Sequence, residues 1–176
     1  MESDYWVYGL TEADFEYTVR LTEAVIERQE RALMEMEERV REERSHEEAD
    51  DMLDDDLYYA AVEADYLWHF CLWRLQAVFE GLIVYTFLTE PARSGLTGLR
   101  KKLHAVRSAG YSLSDEEYDE LISWGRVRNA LSHAPPEQYR PGLLGREDIQ
   151  EYQDLVTRLC ETWQVERERL RRSGAA

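Results

Sequence analysis

Proline and glycine are almost absent from the first ninety residues of this chain. All four prolines and six of the nine glycines lie between residues 91 and 145, so long segments on either side run without a helix breaker. In these segments apolar residues recur every three or four positions, which is the period of an amphipathic helix. The sequence has no long strand pattern, no internal repeat and no domain linker. We therefore predict an all-α, single-domain antiparallel bundle of about five helices, with two long N-terminal helices and a core over about residues 11–170.

The first two predicted helices are the longest. The first opens at Thr11 and Asp14, which have the spacing of a capping box. The second spans about residues 54–88 and is apolar nearly all round from residue 66, so it should be the buried central helix. Within it, Glu80 and His69 are more simply explained as polar groups satisfied in the core than as site residues. The acidic segment 45–56 between the two helices lacks large apolar residues, and we expect an exposed turn there.

Three shorter helices are predicted after residue 95. One ends at Gly110, which suits a left-handed cap. The next begins at Ser114 and Glu117, a second capping box, and has acidic residues in its first turn and basic ones in its last. The fifth spans about residues 147–170, and we expect residues 171–176 to form a disordered tail.

Composition indicates a soluble protein of a reducing compartment. Five tryptophans and eleven tyrosines supply material for a core, and Cys71 and Cys160 have neither C-x-x-C spacing nor a zinc-ligand set around them. The N-terminus lacks the basic and apolar regions of a signal peptide. The most apolar window, residues 67–88, contains His69, Arg74 and Glu80, which are costly in a bilayer. We expect a cytoplasmic protein that does not associate with membranes.

The charge of the chain is strongly negative and unevenly distributed. The formal net charge of −16 disfavours nonspecific binding to nucleic acid, because phosphates would be repelled. Residues 91–145, however, carry eight basic and six acidic residues, a net charge of +2, so the remainder carries −18. The locally basic segment is therefore where a contact with phosphate is expected.

The sequence RVRNALSH, residues 126–133, lies at the end of the fourth predicted helix, just before a double proline. Proline disfavours a helical conformation in the residue before it, so His133 should occupy the last turn, where the helix dipole favours a cation. Asn129 shares the face of His133 at a spacing of four, whereas Arg128 lies about 140° around the helix from it. On spacing alone, these residues are equally typical of a solvated helix C-terminus.

Over a longer span, the sequence SLSDEEYDELISWGRVRNALSH resembles the HEPN superfamily of small helical domains. The signature of that family, an Arg, then a polar residue, then a His four to six residues beyond the Arg, falls here on Arg128, Asn129 and His133. The resemblance implies a metal-independent endoribonuclease of a toxin or phage-defence system, in which a homodimer joins two motifs in one cleft. Other members are inactive binding domains. A subgroup carries a modified tyrosine two residues after the His, where this chain has Pro135.

The same residues suit cleavage of RNA through its own 2′-hydroxyl. His133 would act as general acid or base, Arg128 would hold the phosphate in the transition state, and Asn129 would position them. Four basic residues of the same region are candidate substrate contacts: Arg126, Arg140, Lys101 and Lys102. We expect no cofactor and no metal, since the acidic segment around His46 is better explained as a solvated charge run.

The alternative function is a noncatalytic interaction module, such as an antitoxin-like or adaptor subunit. In that case the charged end of the first helix and the acidic segment would bind a basic protein partner, which suits an acidic chain. For the ribonuclease, the expected partners are an RNA substrate and an antitoxin or other defence-system protein. We also expect a homodimer in which the two copies of the chain face each other through the fourth and fifth helices.

Overall fold

The computed structural model describes residues 11–89, 92, 95–133 and 144–173, and all the regular structure in these residues is helical. The all-α prediction is thus confirmed. Five α-helices follow one another, and a π-helical segment, Ile83–Phe87, continues the second of them. In chain order they are α1 (Ala13–Glu43), α2 (His46–Leu82), α3 (Leu99–Ser108), α4 (Asp115–His133) and α5 (Arg146–Ser173).

The two long helices α1 and α2 share the most extensive contact in the fold. The Thr11 N–H donates to Asp14 Oδ2 at 2.8 Å, as the capping-box spacing predicted. The buried residues of α1 are all in its first half, at Phe15, Val19, Thr22 and Ile26. The second half of α1 therefore extends beyond the core together with the beginning of α2.

The connection between these helices is much shorter than we predicted. Segment 45–56 is helical from His46 onward, so the expected exposed turn is wrong and only residues 44 and 45 connect α1 to α2. The Ser45 hydroxyl and N–H both donate to the Glu48 carboxylate, at 2.9 and 3.3 Å, which caps the helix. The acidic residues lie at the positive end of the helix dipole, and Ala49 and Leu53 are buried. The run of acidic residues in this segment therefore marks the N-terminus of a helix and not a turn.

The central helix α2 is buried on one face only, which corrects our expectation of burial all round. Its inward residues are almost completely inaccessible and include Leu72, Leu75, Val78, Phe79 and Leu82. Its outward face still carries large aromatic side chains, and Phe70 is 60% exposed. The apolar run from residue 66 thus supplies more apolar surface than the neighbouring helices cover.

The later helices begin and end close to the predicted residues. Gly110 has a φ of 93° after α3, and Ser114 and Glu117 exchange hydrogen bonds of 3.0 and 3.1 Å at the start of α4. The apolar face of α5 is buried as expected, at Ile149, Tyr152, Leu155, Val156, Leu159, Cys160 and Trp163. The predicted tail is wrong for residues 171–173, because α5 continues to Ser173, with basic residues in its last turn that complement the helix dipole. Residues 174–176 lie outside the described residues.

Both cysteines are free and buried, as the sequence indicated. Burial raises the pKa of the Cys71 thiol to about 11 and raises that of Cys160 as well. At neutral pH both therefore remain thiols with little nucleophilic character.

One helical stretch among the described residues, His46–Phe87, is long and apolar enough to span a membrane by length and composition alone. Half of its most apolar window is buried within the protein.

The start of α2 gives a test of the capping box. Ser45→Ala removes the hydroxyl but leaves the acidic residues in place, and it should lower the free energy of unfolding by about 1 kcal/mol. Urea unfolding followed by circular dichroism measures this change. Ser123→Ala, at an exposed position inside α4, is the control and should stay within about 0.5 kcal/mol of wild type. Equal effects of the two substitutions would contradict the cap.

Candidate functional site

Helix α4 carries the Arg-Asn-x-x-x-His motif and approaches α3 closely at Gly125. A Cβ atom at Gly125 would lie 3.1 Å from the Leu99 side chain, so the absence of a side chain permits this approach. On the other side, the Gln76 side chain of α2 donates to the Trp124 carbonyl at 2.9 Å. These contacts fix α4 against both helices one turn before Arg128.

Arg128 meets a carboxylate of the central helix. Its Nη2 lies 3.3 Å from Glu80 Oε1, and Lys102 Nζ of α3 lies 2.7 Å from Glu80 Oε2. The side chains of Glu80 and Lys102 are 14% and 16% exposed, whereas that of Arg128 is 33% exposed. One largely buried carboxylate thus holds two cations from two further helices. The cluster Glu80–Lys102–Arg128 has a net charge of +1.

The Arg128 guanidinium is only partly satisfied within this cluster. Its Nε is buried and has no hydrogen-bond acceptor among the described residues. The backbone of the same residue accepts a hydrogen bond of 2.7 Å from the Ser132 hydroxyl one turn later. Arg128 is therefore held at Nη2 by Glu80, and a third of its side chain remains exposed to an anion at the protein surface.

Tyr152 of α5 lies beneath this cluster. Burial raises its pKa well above the ordinary value; the nearby Glu80 acts in the same direction and Arg128 opposes it. Its ring meets Trp124 edge-on, with 5.5 Å between centroids. The phenol is consequently neutral at physiological pH, and the aromatic rings of Tyr152 and Trp124 pack beside the cluster.

Three further predicted residues are exposed to solvent. Arg126 and Asn129 lie on the outside of α4, and Lys101 lies on the outside of α3 with its Nζ 3.5 Å from Thr97 Oγ1. Lys102, predicted with them as a substrate contact, instead has its ammonium group on Glu80. The structure thus brings Arg128 and Lys102 together and leaves Lys101, Arg126 and Asn129 at the surface.

The remaining predicted residues fall at the edge of the described chain. His133 is the last residue of α4, as expected, and its side chain lies outside the described part. Arg140 and Pro135 belong to residues 134–143, which also lie outside it.

A second polar contact of α2 lies between Asp65 and the residue two positions before α5. The Leu144 N–H donates to Asp65 Oδ1 at 3.2 Å, which anchors the start of α5 against α2. His69 Nε2 is also 3.2 Å from Asp65 Oδ1, although the orientation does not make a hydrogen bond. Glu80 is satisfied by Lys102 and Arg128, which agrees with its interpretation from sequence, whereas the buried His69 Nε2 has no hydrogen-bond partner among the described residues.

Within the described residues, no three His, Cys, Asp or Glu side chains are grouped so that they could hold a metal ion. Comparisons of the chain with protein-family models, with curated proteins and with solved structures found no match.

The role of Glu80 as the acceptor of the motif arginine was not apparent from the sequence. A glutamate inside an apolar helix was the only available signal, since its partners are 22 and 48 residues away. The missing information was which cations the packing of α3 and α4 would bring to it.

The Glu80 cluster gives a prediction about stability. Glu80→Ala leaves two partly buried cations without their carboxylate and should lower the free energy of unfolding by about 2 kcal/mol, reduced from the fully buried case because Arg128 is a third exposed. Urea unfolding measures the change. The control is Glu16→Ala, which breaks a surface pair with Arg20 at 3.7 Å and should cost less than about 0.5 kcal/mol. If both variants lose equally little, Glu80 does not organise the site.

Proposed function

We propose that this chain is a metal-independent endoribonuclease of the HEPN type that acts as a toxin or phage-defence effector in the cytoplasm. The observation that carries the proposal is the placement of Arg128, the first residue of an Arg-Asn-x-x-x-His motif. Glu80 fixes one nitrogen of its guanidinium, and the side chain remains partly exposed near the end of α4. A positioned guanidinium with free donors is suited to a phosphate.

In the proposed reaction, the 2′-hydroxyl of the substrate attacks the adjacent phosphorus. A base removes the hydroxyl proton, the bond from phosphorus to the 5′-oxygen breaks, and an acid protonates the leaving oxygen. His133, which ends α4, would serve as this base or acid, because imidazole titrates near neutral pH. The products are a 2′,3′-cyclic phosphate and a 5′-hydroxyl.

Arg128 would stabilise the negative charge that builds up on the phosphorane oxygens. Because Glu80 and the packing of α4 hold it before substrate binds, little reorganisation is needed in the transition state. Asn129, one position further along α4, would orient the ribose or the imidazole. The exposed Arg126 and Lys101, together with Arg140, would contact neighbouring phosphates, and Lys102 would contribute through the charge of the cluster.

A homodimer supplies what one motif lacks. One chain offers a single His133, whereas cleavage needs both a base and an acid. Two copies facing each other through α4 and α5 would provide two imidazoles and two guanidinium groups in one cleft. The paired basic segments would also attract RNA more strongly than one segment in an acidic chain.

The second candidate is a noncatalytic module that binds a basic protein. The observation favouring it is the part of the α1–α2 hairpin beyond the core, where α1 has no buried residue after Ile26 and α2 begins with a run of acidic residues. Arg41 ties the two helices together there, with Nη1 2.9 Å from Asp50 Oδ1. This arm, the part of the hairpin beyond the core, is an acidic surface suited to a basic partner.

The activity test uses purified protein, a single-stranded or loop RNA and excess EDTA. Cleavage should persist and should leave a 2′,3′-cyclic phosphate, and His133→Ala should lower the rate by at least about 100-fold. His46→Ala is the control, since that side chain is exposed at the opposite end of α2 and should not matter. Products with a 5′-phosphate that disappear on chelation would overturn the mechanism. Absence of cleavage, with capture of a basic protein by the acidic arm, would favour the second candidate.

Arg128→Lys tests the guanidinium. Lysine keeps the positive charge and can still reach Glu80, but it loses the planar fork that spans two phosphate oxygens, so kcat should fall by about 10-fold or more with the fold intact. Arg126→Lys, two positions earlier and exposed, should have a smaller effect, mainly on KM. Turnover near that of wild type in Arg128→Lys would remove Arg128 from the active site.

A further inference from the structure

The outward face of α2 carries large apolar residues at intervals of seven. Met52, Tyr59, Tyr66 and Trp73 are 53%, 60%, 56% and 41% exposed. Phe70 lies between the last two on the same side of the helix and is 60% exposed. A seven-residue apolar repeat keeps one seam of a helix directed at a partner helix over its whole length. Within the described residues, α1, α4 and α5 pack against α2 without covering this seam.

The seam is comparable in area to the largest apolar patch of a typical monomer. The seam contains four aromatic residues, Tyr59, Tyr66, Phe70 and Trp73. An aromatic side chain buries roughly 150–250 Å², so these four at about half exposure present roughly 400 Å² of surface. That area is within the range of roughly 300–600 Å² found for the largest apolar patch of a monomeric protein, and such patches are often functional.

A groove between α1 and α2 extends the apolar surface on one side of the seam. It has a volume of about 580 Å³, and its lining includes Tyr17, Leu21 and Phe70. Tyr17 and Leu21 are themselves 58% and 53% exposed. Because Phe70 belongs to both, seam and groove form one continuous apolar surface.

Charge along α2 selects the orientation of a partner helix. Residues 47–56 contain seven acidic side chains, whereas residues 66–82 contain only Glu80, which is paired with Lys102 and Arg128. A parallel copy of the helix would place acid against acid. An antiparallel copy places the acidic half of each helix against the neutral half of the other.

We propose that a second copy of this chain covers this seam, with the two α2 helices antiparallel about a two-fold axis near residues 64 and 65. In this register Met52 lies opposite Ala77 of the other copy. Tyr59 then lies opposite Phe70, because in two antiparallel helices the residue numbers of any two facing positions add up to the same value. Each Tyr59 therefore enters the groove beside Phe70 on the other copy, which gives an isologous contact.

This pairing is tested separately from the proposed ribonuclease function. It uses the seam of α2, at the end of which Glu80 lies seven residues after Trp73, whereas the proposed catalytic pairing uses α4 and α5. Dimerisation through α2 is measured on the His133→Ala protein as well as on wild type, so its outcome does not depend on activity.

Sedimentation equilibrium at micromolar concentration tests the contact. Tyr66→Glu/Trp73→Glu should halve the mass of the assembly and leave the helical circular dichroism unchanged, because both side chains are exposed. Met34→Glu is the control, since Met34 is 68% exposed on α1 and lies outside the seam; it should keep the wild-type mass. A wild-type monomer, or an assembly of unchanged mass in the double variant, would overturn the proposal.

Cross-linking with a short bis-maleimide tests the orientation. Tyr66→Cys lies close to the proposed axis and should couple to its counterpart. Met52→Cys would be about 38 Å from its counterpart, at 1.5 Å per residue over twenty-five residues, and should not couple. The native Cys71 and Cys160 are buried and should not compete. Coupling at both positions indicates a parallel pair and contradicts the proposal. A monomeric protein that binds lipid vesicles through this face would also contradict it.

Discussion

The contact on which the candidate site depends is the shared carboxylate of Glu80. It joins α2 to α3 through Lys102 and to α4 through Arg128, while the apolar core beneath it holds the same helices together. Such a cluster adds little net stability, because burying three charged groups costs nearly as much as their attraction returns. Its effect is on geometry, since any arrangement that separates α3 or α4 from α2 leaves a charge unpaired.

Most of the fold could be predicted because its signals are local. The Ser114–Glu117 capping box, the left-handed Gly110 and the apolar face of α5 each fall within a few residues of one another, and the structure confirms all three. The acidic segment 45–56 was misjudged although its signal was equally local. Composition suggested a turn, but Ser45 and Glu48 cap a helix whose first turns bury Ala49 and Leu53.

The site was less predictable because its contacts are distant in sequence. The motif gave Arg128, Asn129 and His133, but nothing near them indicates that Arg128 would meet Glu80 or that Lys102 would share it. Similarly, the apolar run of α2 predicted burial, whereas the structure places its surplus of aromatic residues on an outward seam. Periodicity identifies which residues share a face, but whether that face lies against the same chain or another depends on how many helices the domain has to cover it.

The position of seven acidic residues weakens the main objection to a nucleic acid substrate. A chain of net charge −16 should repel RNA, but seven of its acids lie at residues 47–56 on α2. That segment is about 40 Å from Glu80 along the helix, at 1.5 Å per residue. Exposed charges are screened over about 8–10 Å at physiological ionic strength, so within one chain these seven residues have little effect on an anion near the cluster of net charge +1. The extended hairpin thus separates seven of the acidic residues from the Glu80 cluster within one chain.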